Sequence, residues 1–330
     1  MTLDEEMMAH AAAVGREARH TARPNPWVGA VVVDERGSVL ASAATEPPGE
    51  RHAEVVALDA AGHAARGATL YVTLEPCAHT GRTPPCTERV VASGVKRVVV
   101  GVLDPDHRVS GRGVRALRDA GLNVDLGTGA AEVADDLAPY LHHRRTGRPF
   151  VVLKWAATLD GRTAAPDGSS KWITSEAARR DAHRLRADSD AVLVGAGTVR
   201  SDDPSLTVRL DGLDGVDRQP LRVVLGHAPS TARVQPCLEY QGDLASMLED
   251  LGERGVLQLL VEGGAHVARD FVAAGLVDRY VAYVAPALLG GDDGVPVLAG
   301  VGAPSIGEAL RGRFVSVTRV GEDLRVEVEP

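Results

Sequence analysis

The chain has 330 residues, of which 44% are apolar, 25% charged and only 3% aromatic, with a formal net charge of −9. At roughly 150 residues per domain this length suggests two domains with cores large enough to need no disulfides, and the acidic balance argues against a nucleic-acid surface, which needs clustered Lys and Arg. No apolar run is long enough for a membrane span; the acidic start Met1-Thr2-Leu3-Asp4-Glu5-Glu6 lacks a signal-peptide pattern, so a cytoplasmic location is expected, and three sparse cysteines point to metal or chemistry rather than disulfides.

Short apolar runs at Val28 to Val33, Thr69 to Leu74 and Arg97 to Leu103 predict buried strands. Helical spacing predicts helices over His52 to Ala65, Cys86 to Ser93 and Arg112 to Ala120, the last two stopped by Gly94 and Gly121. Thr146-Gly147-Arg148-Pro149 breaks the pattern, which places a domain boundary between residues 147 and 148. Beyond it, strands are predicted at Phe150 to Thr158, Ala191 to Gly195, Leu221 to Leu225, Val256 to Val261 and Val277 to Val284. Helices are predicted at Ser175 to Asp188, Asp243 to Arg254 and Gly264 to Ala274. Two-residue alternation in Phe314 to Val320 and Leu324 to Glu329, around Gly321-Glu322-Asp323, predicts a closing hairpin. Alternating strands and helices imply an α/β layered fold with parallel pairing.

The chemistry concentrates in three segments. His52-Ala53-Glu54 opens a helix, Glu75-Pro76-Cys77 follows a strand, and Cys86 begins the next helix nine residues later. This is the H-x-E…P-C…C arrangement of zinc deaminases. His52, Cys77 and Cys86 would hold Zn2+ and leave the fourth tetrahedral position to water, as a catalytic site requires. Helix N-termini there favour thiolate and hydroxide. Glu54, two residues from a ligand, would take the proton from water and return it to the ring nitrogen and the departing ammonia. A structural zinc site usually has four ligands, often in Cys-x-x-Cys pairs, and both features are missing. The polar insert from Ala78 to Pro85 is long for a deaminase, and His79 on it is a candidate substrate contact. Cys237 reads as an incidental thiol.

Asn25-Pro26-Trp27-Val28-Gly29-Ala30-Val31-Val32, His52-Ala53-Glu54 and Thr73 to Cys86 together resemble the bifunctional deaminase–reductases of riboflavin biosynthesis. Lys154 to Gly161, Lys171 to Ser175, Asp202 to Thr207, Val261-Glu262-Gly263-Gly264 and Ala285 to Gly291 extend the resemblance over nearly the whole chain. It implies a cytidine-deaminase-like three-layer αβα domain over residues 1–147 and a dihydrofolate-reductase-like domain over residues 148–330. The first would deaminate 2,5-diamino-6-ribosylamino-4(3H)-pyrimidinone 5′-phosphate. The second would reduce the ribosyl group to ribityl with NADPH, giving 5-amino-6-ribitylaminouracil 5′-phosphate. The resemblance assigns the pyrimidine to Asn25 and His79 and the phosphate side to Arg82, where many relatives carry Lys.

In the second half, Gly195-Ala196-Gly197-Thr198 and Gly263-Gly264 each follow a strand and open a helix, as dinucleotide-phosphate turns do, although neither is a full G-x-G-x-x-G fingerprint. The resemblance assigns NADPH contacts to Ala156, Trp172, Thr198, Asp202 and the run Gly264, Ala265, His266, Val267, Ala268, Arg269 and Asp270. It assigns substrate contacts to Ser170, Arg186, Leu206, Arg209 and Glu262, the arginines suiting a phosphate. Lys154 and Glu262 are charges on apolar strands, where placement without a partner is costly; Lys154 is a candidate catalytic support, and a buried structural ion pair is the other reading.

Three departures from the relatives stand out: Thr45 where a His often precedes the zinc His, Gly226-His227 where an Asp is common, and a short stretch between Val234 and Asp243. Thr45 keeps open an alternative, a deaminase–reductase relative acting on a modified pyrimidine in specialised metabolism. A nucleic-acid base deaminase and a zinc-stabilised binding protein without catalysis are the other readings weighed. The expected partners are a phosphorylated pyrimidine and, through exposed edge strands of the second domain, a second copy in a homodimer or higher homo-oligomer.

Overall fold

A computed structural model describes residues 1–80, 84–209 and 219–330. The chain divides into two compact units, Met1–Gly147 and Arg148–Pro330. No helix among the described residues is long and apolar enough to cross a membrane.

The first unit runs α1 (Leu3–Glu17), β1 (Gly29–Val33), β2 (Val39–Ala44), α2 (Ala53–Ala61), β3 (Thr69–Leu74), α3 (Cys86–Ser93), β4 (Arg97–Val102), α4 (Arg112–Asp119), β5 (Asn123–Leu126), α5 (Ala130–Asp136) and α6 (Ala138–Thr146). Its sheet has the order β2-β1-β3-β4-β5. The expected parallel pairing holds for β3, β4 and β5. It fails for β1, which is antiparallel to both neighbours, because the short link to β2 makes a hairpin that no crossover helix separates. The predicted helix over His52 to Ala65 ends as an α-helix at Ala61 and finishes as a 3-10 turn, Gly62–Ala65.

β1 is buried along its whole length, and α1 packs on it. That packing depends on Gly29, where a Cβ would lie 1.8 Å from the Ala11 carbonyl oxygen. α1 itself starts with a capping box in which Thr2 and Glu5 satisfy each other's backbone N–H.

The second unit runs β6 (Phe150–Thr158), β7 (Arg162–Ala164), α7 (Glu176–Ala187), β8 (Ala191–Gly195), α8 (Ala196–Asp202), β9 (Leu221–Leu225), β10 (Leu238–Tyr240), α9 (Leu244–Glu253), β11 (Gln258–Val261), α10 (Ala265–Ala273), β12 (Arg279–Ala285), β13 (Val295–Pro296), β14 (Arg313–Val320) and β15 (Asp323–Glu329). Eight strands form one sheet, β10-β9-β8-β11-β6-β12-β15-β14. The first six are parallel and the closing hairpin adds antiparallel strands at one edge. The hairpin turn is tighter than its sequence suggests: Val320 pairs with Asp323, so Asp323 belongs to β15. Its buried carboxylate accepts from the Ser175 N–H at 2.8 Å and hydroxyl at 2.6 Å, which anchors the start of α7.

Alternation along β6 sorts its side chains by face. Val151 and Leu153 pack into one core layer with Phe271 and Leu259, and Trp155 lies against it. Val152 and Ala156 face the other layer, with Val192 and Tyr283. Lys154 shares that second face, where its ammonium lies 5.7 Å from the Tyr283 ring centre.

Candidate active sites

The first site is built on two helix starts and one strand end. His52 is the N-cap of α2, in extended conformation, yet its side chain makes no capping hydrogen bond. Its ring turns instead to sulfur: Nδ1 lies 3.1 Å from Cys86 Sγ and 3.7 Å from Cys77 Sγ. Cys86 is the first residue of α3, and its N–H donates to Cys77 Sγ at 3.4 Å. The three ligand atoms lie within 4.8 Å of one another. Tetrahedral zinc with its usual bond lengths separates such ligands by about 3.5–3.8 Å, so the donor set and its size fit the ion.

The electrostatics make the same point. The hydrogen bond from Cys86, and then that from His52, pull the Cys77 thiol down to about 4 against the effect of burial. Cys86 is driven up by the bond to that sulfur, by burial and by Glu54. Hydrogen bonding to Cys77 raises the His52 imidazole. Two sulfurs this close to a carboxylate cannot all be anionic unless a cation is shared among them. Glu54, one residue into α2 and only 4% exposed, sits beside them. Burial raises its carboxyl, and His52 offsets only part of that rise.

A cavity of about 330 Å³ opens on this cluster. Asn25 and His79 line it, as does Thr45, and His79 Nδ1 is buried without a hydrogen-bond partner. Arg82 lies outside the described residues. Thr45 is buried, and its hydroxyl accepts from the Val28 N–H at 3.2 Å and reaches the Val28 carbonyl at 3.4 Å. It therefore serves the strand rather than standing in for an imidazole.

The far wall comes from residues that sequence reasoning passed over. Asp104 and Asp106 follow β4 directly, at the C-terminal strand end where α/β sheets place ligands. Tyr140 and Arg144 come from α6. Glu75 joins the two walls: its carboxylate accepts from the backbone N–H of Asp104, Gly111, Gly113 and Val114, at 3.3, 2.9, 2.9 and 3.1 Å. It thereby caps the start of α4, and Gly113 lets that start approach, since a Cβ there would sit 1.9 Å from the Pro76 carbonyl oxygen.

The second site is a cavity of about 380 Å³ in the second unit. Lys154, Ala156, Ser170, Trp172, Arg186, Asp202 and Arg209 line it, so seven of the residues singled out in this half converge. Trp172 is 70% exposed, with the Arg179 guanidinium 4.3 Å from its ring centre. Glu262 lies just past β11 and receives Arg186 in a bidentate pair, both contacts 3.0 Å. Burial alone would raise that carboxyl, but the Arg186 and Lys154 charges outweigh it and hold it at about 2. His183 was not singled out from sequence, yet it lines the cavity. Burial, then the charges of Arg186 and Arg209, lowers its imidazole to about 4. Its Nδ1 accepts the Arg209 N–H at 3.3 Å, which leaves Nε2 as the protonated nitrogen.

Other expected contacts do not line this cavity. Leu206 is buried in the core behind it, in left-handed conformation. Thr198 is on α8, and the run from Gly264 begins α10. The two glycine turns follow β8 and β11, which are neighbouring parallel strands, and a Cβ on Gly264 would lie 3.6 Å from Thr198 Oγ1. Two helix N-termini thus stand side by side at one strand edge, a suitable seat for a dinucleotide phosphate. Within the run, Ala268 faces the core while His266, Arg269 and Asp270 are exposed. A further hollow of about 420 Å³ lies on the Trp155 face of the sheet. Its walls are largely apolar, and it shares no residue with either chemical cluster. Among the described residues Cys237 bonds to Gln235, with burial raising its thiol.

Comparison with known proteins places these features in a family. Residues 1–102 match the cytidine and deoxycytidylate deaminase zinc-binding region, and residues 149–326 match the RibD C-terminal domain. The riboflavin biosynthesis protein RibD of Mycobacterium tuberculosis is 45% identical over 328 residues, covering 97% of this chain and 95% of that protein. RibD of Escherichia coli is 39% identical over 361 residues, covering 97% and 98%. Among solved structures, Acinetobacter baumannii RibD superposes with a TM-score of 0.92 at 36% identity, covering 99% of each chain. A Thermotoga maritima diaminohydroxyphosphoribosylaminopyrimidine deaminase/5-amino-6-(5-phosphoribosylamino)uracil reductase gives 0.88 at 34%, again covering 99% of each. These matches favour riboflavin biosynthesis over a role in specialised metabolism. With a zinc-binding deaminase half followed by a reductase half, the chain belongs to the RibD family of bifunctional deaminase–reductases.

Proposed function

We propose that the first cavity deaminates 2,5-diamino-6-ribosylamino-4(3H)-pyrimidinone 5′-phosphate and that the second reduces the ribosyl group of the product to ribityl. The observation that carries this reading is the meeting of His52, Cys77, Cys86 and a buried Glu54 in one cavity. His52, Cys77 and Cys86 hold zinc, which when bound supplies a water acidified to near neutrality. Glu54 carries protons in two transfers: it takes one from the water and gives it to the ring nitrogen, then takes a second from the hydroxyl added to the ring carbon and gives it to the amino group, which leaves as ammonia. Asn25 and His79 orient the pyrimidine, and Arg82 meets the phosphate.

In the second cavity NADPH, when bound, supplies hydride to carbon 1 of the opened sugar. Ala156, Trp172, Thr198, Asp202 and the backbone from Gly264 to Asp270 hold the cofactor, and the paired helix N-termini receive its phosphates. Ser170, Arg186, Arg209 and Glu262 orient the substrate; Leu206, buried behind the wall, contributes through its backbone. Glu262, held ionised, fixes Arg186, and Lys154 stands on the same face as a cation beside them. The cytoplasm suits free cysteines and soluble phosphorylated substrates. A homodimer is supported by the edge strand β14, where Phe314 is 69% exposed.

The deciding experiment supplies the diaminopyrimidine ribotide with and without NADPH and follows products by mass. Loss of one amino group without NADPH, then a gain of two hydrogens with it, is the expected result. Deamination with no reduction under either nicotinamide cofactor sinks the second assignment; no deamination at all sinks the first.

A further inference from the structure

The first cavity is acidic among its described lining residues: Glu50, Glu54, Glu75, Asp104 and Asp106 stand against two arginines, Arg108 and Arg144. A substrate phosphate brings more negative charge to such a site. Two of the acids are already occupied. Glu75 is satisfied by four backbone N–H groups. Asp106 is taken bidentately by Arg108, at 3.0 and 2.7 Å, which commits that arginine.

Arg144 differs. It sits four residues after Tyr140 on α6, so the two side chains share one helix face. Its guanidinium carbon lies 5.1 Å from the Tyr140 ring centre. Tyr140 cannot swing away, because its hydroxyl donates to Asp104 Oδ2 at 3.0 Å and the ring is buried. Asp104 in turn uses its other oxygen for the Asp106 N–H at 2.9 Å. Arg144 Nε is buried with no hydrogen-bond partner. Among the described residues Arg144 forms no ion pair, although its charge reaches Asp104 and Asp106. A guanidinium resting against a fixed ring, with its Nε unpartnered and a cavity in front of it, is prepared for an anion.

We infer that Arg144 is an anion-binding residue of the deaminase cavity, receiving the phosphate of the substrate. This rests on the deaminase reading of that cavity. It makes Arg144 a determinant of phosphorylated over unphosphorylated substrate, and it assigns the last helix of the first unit a part in recognition.

The test compares deamination of the diaminopyrimidine ribotide with that of the same compound lacking its phosphate, using the full-length zinc-loaded protein. Arg144→Gln should raise KM for the ribotide by about 10- to 100-fold, the worth of charged hydrogen bonds, with kcat little changed and the unphosphorylated compound handled as before. Arg144→Lys should recover part of the loss, and Arg145→Gln, at an exposed neighbour, should cost nothing. Inorganic phosphate should inhibit the unmodified protein competitively, and Arg144→Lys less strongly, a readout that survives if Arg144→Gln does not fold. Equal losses on both compounds would show that Arg144 only props Tyr140 and Asp104, and overturn the inference. No loss on either, or phosphate inhibition that ignores the substitution, overturns it too. If the unmodified protein deaminates neither compound, the deaminase reading itself has failed.

Discussion

A glutamate held away from water stands at the chemical cluster of each half, Glu54 in the first and Glu262 in the second, and the two behave in opposite ways. Glu54 is raised because burial dominates, and His52, the largest opposing influence, offsets only part of it. Glu262 is held at about 2 because Arg186 and Lys154 overcome the same burial. The first can therefore change protonation during a turnover, and the second stays an anion. Proton transfer needs the former, whereas a fixed anion positions cations and orients a substrate. Burial alone does not assign a role; the presence of a facing guanidinium does.

The sharpest way to test that contrast is Glu54→Gln. It should lower deamination by a factor of about 10² to 10⁴, the usual worth of general acid–base catalysis, while zinc content stays at one per chain and reduction of the deaminated intermediate is untouched. Loss of zinc together with activity would mean that Glu54 serves the metal and not the proton. Glu262→Gln should behave differently. Leaving Arg186 and Lys154 without their counter-charge should cost about 3 kcal/mol of stability in the second unit, read by denaturant unfolding, and should weaken reduction with deamination intact. A second unit that kept its stability would show that the pair is solvated and dispensable.

Acid should separate the halves more gently. Glu262 is lowered from 4.5 to about 2 and His183 from 6.5 to about 4. In both cases the unfolded chain takes the proton first, so their stabilising contributions are full above the unfolded values and are lost as pH falls through the folded ones. Unfolding midpoints of the second unit should drop from pH 6.5 downward, and His183→Gln should flatten the upper part of that drop. An unchanged slope would remove His183 from the account. The smallest effect is expected at Cys237→Ser, which should leave zinc stoichiometry and both activities as they were; a fall in bound zinc would bring this thiol into the metal site.

The metal cluster was legible because its information is local. His52-Ala53-Glu54 and Pro76-Cys77…Cys86 each straddle a helix start or strand end, so spacing alone carries the geometry. The break at Thr146 to Pro149 was equally local. The strands β3, β6, β8 and β9 follow the residues that hydrophobic runs indicate. The opposite wall of the first cavity was not legible. Asp104 reaches Tyr140 across 36 residues of chain, and Arg144 acts through stacking on a ring rather than through a motif. β1 paired antiparallel for a similar reason: local alternation reports a strand, while its direction depends on the length of the link to β2. The helix α1, which opens with an acidic run, shows its purpose only when Gly29 brings β1 against it.

The four-pronged grip of Glu75 has a consequence for how this half could be retargeted. One carboxylate joins the segment that presents Cys77 to the loop that presents Asp104 and to the start of α4. Metal seat and specificity wall are therefore one mechanical piece, and a redesign that exchanges the loop after β4 without matching that grip would loosen the metal as well. Tyr140 is tied to that piece through Asp104, whereas Arg144, on the same helix, makes no bond to it among the described residues. Arg144 is therefore the wall residue that selection or engineering can vary most freely, so new substrate preferences should arise first there on α6.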